Sequence, residues 1–171
     1  MKELLLGIDI GTSACKVAIF RKNGEVVAAA NGDYKVYYPK PGYAEQDPDE
    51  WWRAVCKATK ECITKGAVDP SDIAGIGVDG QSWSAIAVDK CGNVLARTPI
   101  WMDNRSSAIC GRLNRKIGED EIFRVSGNSL TAQYTTGKVL WYQENRPKVY
   151  QETDKILQSN AFIVYRLTGK I

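Results

Sequence analysis

Apolar residues at Leu4, Leu5, Leu6, Ile8 and Ile10 leave only Gly7 and Asp9 as breaks, which predicts a buried strand with one carboxylate near its end. Lys16 to Phe20 (KVAIF) and Glu25 to Ala30 (EVVAAA) read as two more strands, and Asn23-Gly24 between them is a strong hairpin signal. The first third is therefore a meander, with an Asp9 to Ser13 loop between its first two strands. A Pro- and Gly-punctuated stretch, YYPKPGYAEQDP, then delivers a helix. Asp47 suits the N-cap, Pro48 the first helical position, and Glu50 the place where a capping box closes. Trp51, Val55, Ala58 or Thr59, and Cys62 follow at helical spacing, and the helix should end near Gly66.

Asp72 to Asp79 (DIAGIGVD) reads as a further buried strand and Ser84 to Val88 as the next, with a Cys91-Gly92-Asn93 turn leading into Val94-Leu95. From Asn104 the pattern becomes helical, through Ala108 to Ile117, Glu119 to Val125, and Thr136 to Gln143, which stops before Pro147. A short strand, Lys155 to Leu157, precedes a last helix from Ala161 to Leu167. Three early strands, a helix, then more strands and helices predict an α/β fold, a mixed sheet with an early antiparallel meander flanked by helices.

Composition narrows the chemistry. The 171 residues are 44% apolar and 25% charged, with a net charge of +3 and no block of Lys or Arg, so neither nucleic acid nor a lipid surface is the expected partner. The first apolar run is too short to span a membrane and lacks a small-residue cleavage site. Without histidine, a His-based triad is impossible and a zinc site is poorly served. Five cysteines, Cys15, Cys56, Cys62, Cys91 and Cys110, form no CxxC pair; they read as small core hydrophobes in a reducing, cytoplasmic setting.

Three motifs carry candidate chemistry. Gly75-Ile-Gly77-Val-Asp-Gly80 matches G-x-G-x-x-G, but its glycines lie inside a predicted strand and another strand follows, so it is no dinucleotide fingerprint. Gly11-Thr12-Ser13 makes a tight turn whose N–H groups and hydroxyls can receive an anion, with Lys16 nearby. Asp9 would repel a bare phosphate and fits there only with a divalent cation between them, a role Mg²⁺ allows; a solvated hairpin tip is the other reading. The third constellation is Gln81-Ser82-Trp83-Ser84 together with Trp101-Met-Asp103-Asn104-Arg105, each at the end of a predicted strand. Its amide, carboxylate and guanidinium suit a polyhydroxylated ligand and its tryptophans suit a sugar face, unless the tryptophans are core and the charges cap the next helix.

The ordered motifs GIDIGTSxxKV, AEQDPDEWW, GQ, IxWxDxR, TGKVLW and YRLTGK resemble the FGGY family of carbohydrate kinases, over the whole chain. The resemblance is greatest to the xylulose-phosphorylating branch, although that branch usually carries Gln-Met-His-Gly where Gln81-Ser82-Trp83-Ser84 stands, which puts xylulose itself in question. It implies an actin-like, ribonuclease H-like ATPase domain. It implies that residues 1–171 are most of an N-terminal sugar- and phosphate-binding domain, with its remainder, the catalytic aspartate and an ATP-binding second domain outside this chain. On that resemblance Asp9 handles Mg²⁺ and the transferred phosphate of ATP, beside Gly11, Thr12, Ser13 and Lys16. Gln81, Ser82, Trp83, Trp101, Asp103 and Arg105 contact the sugar. The implied activity is ATP-dependent phosphorylation of a ketopentose or polyol, with a small sugar and a second copy of the whole enzyme as partners. Residues 1–171 alone are expected to be inactive and to expose a sticky apolar face. Two other readings are a non-catalytic actin-like nucleotide-binding protein and a ribonuclease H-type nuclease built on Asp9 and Asp79.

Overall fold

A computed structural model describes residues 3–171. Its elements run β1 (Leu4–Ile10), β2 (Ala14–Arg21), β3 (Val26–Asp33), β4 (Glu45–Gln46), α1 (Pro48–Gly66), β5 (Ile73–Gly80), β6 (Ile86–Val88) and β7 (Thr98–Pro99), followed by α2 (Ser107–Ile117), α3 (Glu119–Ser126), α4 (Thr135–Asn145), α5 (Pro147–Glu152), β8 (Lys155–Leu157) and α6 (Ser159–Thr168). They fall into two units. The first comprises the chain up to Val36, Asp47–Gln81 and Ser159–Ile171; the second comprises Tyr37–Gln46 and Ser82–Gln158.

The first unit is built on a four-stranded sheet in the order β3-β2-β1-β5. β1, β2 and β3 run antiparallel, as the meander predicts, and β5 lies parallel to β1. Alternation sorts the side chains. Leu4, Leu6, Ile8 and Ile10 of β1 are buried, with Cys15, Val17 and Ile19 of β2, while Leu5 and Asp9 point to the opposite face. α1 covers the buried side. Asp47 accepts a hydrogen bond from Asp49 N–H at 2.9 Å, and Trp51, Val55, Ala58 and Cys62 are all buried along one stripe. The helix comes so close to β3 that a Cβ on Gly32 would stand 2.7 Å from Ala54 O.

β5 departs from expectation. It is the outer strand of this sheet, with Ile76 48% exposed and Val78 only half-buried, rather than a buried strand. Its glycines sit within the strand, as expected, and no helix follows them. Cys91 is also exposed, against the expectation that the cysteines lie in or near the core.

The second unit holds two small antiparallel pairings, β4 with β7 and β6 with β8, and helices α2 to α5. Its core gathers Ala85, Ala87, Ile109, Trp141 and Tyr142. Among the described residues no helix is long and apolar enough to cross a membrane.

Candidate functional site

In the first unit, Asp9 is the last outward-facing residue of β1, and the register sets it between two neighbours. Lys16 stands opposite on β2 and Asp79 opposite on β5. Lys16 Nζ lies 3.8 Å from the Asp9 carboxylate, and both side chains stay solvated, so this ion pair adds little stability. Asp9, Lys16 and Asp79 line one open cavity of about 520 Å³ whose floor includes Phe20 and Gly77. Asp79 also accepts the Gly80 N–H at 2.8 Å. The carboxylate that interrupts the first apolar run is thus at the surface, paired with a cation and beside a second carboxylate. Among the described residues no group of three acidic or thiol ligands could enclose a metal alone. A half-exposed pair of carboxylates instead suits Mg²⁺, which keeps its waters and fills remaining positions with phosphate oxygens.

The turn after β1 corrects one expectation. Gly11 N–H is donated to Ala14 O at 3.1 Å and so is not aimed at an anion. Its carbonyl is equally occupied, accepting the Tyr34 hydroxyl at 2.5 Å and Gln81 Nε2 at 3.3 Å. A Cβ at Gly11 would meet Ala14 O at 2.9 Å, so glycine is there for the tightness of the turn. Thr12 and Ser13 occupy the tip, with Ser13 exposed. Tyr34 braces the turn from below; burial first, then the nearby Cys15 and Asp9, push its phenol well above the ordinary tyrosine range. Gln81 lies just past β5, where its N–H also reaches Ile10 O at 2.8 Å.

In the second unit, Trp101 is 41% exposed, as a ligand-covering ring requires. Asp103 and Arg105 are not. The Asp103 carboxylate is closed to solvent and takes both Arg105 Nε and Nη2 at 2.8 Å, as well as the Ala44 N–H at 2.7 Å. Arg105 Nη2 also donates to Glu45 at 2.7 Å, and its guanidinium stacks 4.2 Å above Tyr43 and 4.7 Å from Trp141. Burial pulls the Arg105 pKa down, but the hydrogen bonds and charges of Asp103 and Glu45 outweigh it and hold the pKa above the usual value. Both side chains are used inside the protein, and the triad fixes the loop that carries Trp101. Sequence reasoning gave Glu45 no role, although it lies inside the AEQDPDEWW stretch.

Trp83 has a φ of +66°, a left-handed conformation that costs a bulky residue about 1–3 kcal/mol. Its ring meets that of Tyr134 edge to face at 4.6 Å. The two rings form one wall of a mostly apolar cavity of about 550 Å³, whose other side is Leu113, Ile117 and Val125. Ser84 is fully buried with an unpartnered hydroxyl, whereas Ser82 is exposed. Behind this wall Lys138 is fully buried, and burial pulls its pKa down to about 8 against opposing help from Asp103. Its signal was available in sequence, since a lysine three and four residues before Trp141 and Tyr142 shares the apolar face of α4.

A sequence model of the N-terminal domain of the FGGY family of carbohydrate kinases matches residues 4–171. The chain is 33% identical to a xylulose kinase of Staphylococcus epidermidis over 171 residues, all of this chain and 34% of that protein. It is 30% identical to a glycerol kinase of Thermococcus gammatolerans over 174 residues, 99% of this chain and 35% of that one. The crystal structure of a xylulose kinase from Rhodospirillum rubrum superposes with a TM-score of 0.92 at 28% identity, covering 98% of this chain and 34% of its own. The chain thus spans about a third of the length of these relatives. The likeness shows the expected actin-like, ribonuclease H-like fold, in which an antiparallel meander is joined by a parallel strand beside β1.

Proposed function

The chain belongs to the FGGY family of carbohydrate kinases, and on that premise we propose that the protein carrying it transfers the γ-phosphoryl group of Mg-ATP to a hydroxyl of a ketopentose or related polyol. The observation that carries this reading is the solvated Asp9 carboxylate, held by register between Lys16 and Asp79 at the edge of the Gly11 turn.

Phosphoryl transfer has a loose transition state, so the protein's work is to place the reactants and balance charge. Asp9 would hold Mg²⁺, with Asp79 adding negative charge on the same open face. When bound, the ion neutralises charge on the phosphate oxygens. Thr12 and Ser13 present donors at the turn tip while Gly11 keeps the turn tight, and Lys16 offsets the charge of Asp9. Gln81, Ser82, Trp83 and Trp101 read the sugar, the hydroxyls through polar groups and the apolar face through the rings. Asp103 and Arg105 serve the sugar by fixing the Trp101 loop.

Trp83 stands where a histidine is usual in the xylulose-phosphorylating branch, so the sugar is best found by comparison. A coupled assay of the full-length protein with xylulose, ribulose, rhamnulose, gluconate and glycerol should show Mg-dependent turnover of at least one. Turnover of none of them would overturn the reading.

A further inference from the structure

Lys138 lies on the face of α4 that carries Trp141 and Tyr142, and its side chain is closed to solvent. A buried ammonium is costly unless its protons are used. Here Nζ donates to two backbone carbonyls, Trp83 O at 2.6 Å and Gln133 O at 2.5 Å, so neither hydrogen-bond partner is a carboxylate. These carbonyls belong to segments fifty residues apart in sequence, and each segment carries one ring of the aromatic wall. Trp83 itself supplies the first ring; Tyr134, the residue after Gln133, supplies the second. One residue further along, Thr135 Oγ1 donates to Ser84 O at 3.2 Å and ties the same two segments again. Gln133 Nε2 in turn reaches Asn104 Oδ1 at 3.2 Å, in the loop that carries Trp101.

We propose that Lys138 is a positioning residue for sugar recognition: by binding the Trp83 and Gln133 carbonyls together, its ammonium holds the left-handed Trp83 and the Tyr134 ring as one rigid wall. The clamp stands on these contacts; its service to a sugar rests on the kinase reading above. A lysine suits the task because its three donors radiate from a single atom at the end of a stem long enough to cross the helix–loop gap. A neutral chain of equal length keeps the packing and loses the clamp. Without it, Trp83 is free to leave its left-handed conformation, and the ring moves with it.

In the full-length enzyme, Lys138→Met removes the donors at nearly constant length. Near-ultraviolet circular dichroism reports the Trp83–Tyr134 pair without any turnover, and Trp83→Phe identifies its band. Lys138→Met should lose the band that Trp83→Phe loses. For the panel sugar of highest kcat/KM, it should raise the sugar KM by about tenfold or more, while kcat and the KM for ATP stay within about threefold. Lys138→Gln, which keeps two N–H donors on a shorter stem, should recover part of the KM. If Lys138→Met does not fold, Lys138→Gln and ¹⁵N NMR of the wild-type Lys138 ammonium carry the test, and the ammonium signal should shift on adding that sugar. An unchanged band with a sugar KM within about twofold of wild type, or an ammonium signal unmoved by saturating sugar, overturns the proposal. A protein that phosphorylates no sugar, yet whose band still depends on Lys138, overturns the kinase reading and leaves the clamp standing.

Discussion

Asp103, Arg105 and Lys138 are charged side chains that burial has turned into structure, and their behaviour follows from how each charge is met. Arg105 is met fully: a bidentate carboxylate, a second carboxylate and two aromatic faces surround it. Removing one partner strands a buried guanidinium, so Asp103→Ala should lower the unfolding free energy by about 3–5 kcal/mol in chemical denaturation. Lys138 donates its hydrogen bonds to carbonyls alone, and burial outweighs the help of the Asp103 charge, so its pKa falls to about 8 from 10.5. Between those values the folded lysine is neutral while the unfolded one is charged, so the unfolded state binds more protons and stability rises with pH. Relative to Lys138→Met, the wild-type chain should gain on the order of 2–3 kcal/mol from pH 8 to pH 10.5. Above pH 10 the sign reverses for Tyr34 and Tyr142, whose buried phenols keep their protons in the folded state but lose them on unfolding. Cys15, Cys62 and Cys110, whose thiols burial pushes up from 9.0, act with the same sign as the tyrosines, so denaturation at stepped pH is read as the difference from Lys138→Met, which shares all of these groups. Of the three burials only that of Lys138 left a signal in the sequence, its helical spacing to Trp141 and Tyr142. Asp103 and Arg105 read as ligand contacts because charge beside tryptophan suits a sugar equally well, and only the folded path of Glu45 shows where their hydrogen bonds go.

Elements were legible wherever local signals agreed. α1 begins at Pro48 and ends at Gly66 as its cap, proline and apolar spacing dictate, and β1 spans Leu4–Ile10 as its apolar run does. β2 and β3 extend beyond the strands read from composition, because ladder pairing carries Ala14 and Asn31 to Asp33 into the sheet whatever their side chains prefer. β5 read as buried because Ile73, Ile76 and Val78 are apolar, yet whether a parallel strand is central or outer depends on partners that the strand itself does not encode. α5 was missed: six residues after Pro147 give too little period to recognise. The contact between α1 and β3 supplies a test at this scale. A side chain at Gly32 would press on the backbone of Ala54, so Gly32→Val should cost about 1–3 kcal/mol or more in urea unfolding, whereas Gly24→Ala in the open hairpin should be limited by its positive φ alone.

For the whole molecule, the order of motifs along the chain foretold the family, and the family match over residues 4–171 bears it out. The position of Asp9 is where pattern and chemistry meet. Alternation makes it the outward residue of an otherwise apolar strand, and pairing then sets Lys16 and Asp79 beside it. What the sequence could not show is that Gly11 gives its N–H to Ala14, since a turn's internal hydrogen bonds depend on its backbone angles. The most direct measurement is the Mg-dependent kcat of the full-length protein on its best sugar, compared with that of Asp9→Asn. The account predicts a fall of about 10²- to 10³-fold with circular dichroism and unfolding midpoint unchanged. An Asp9→Asn enzyme that keeps the wild-type kcat at the same Mg²⁺ concentration would contradict it.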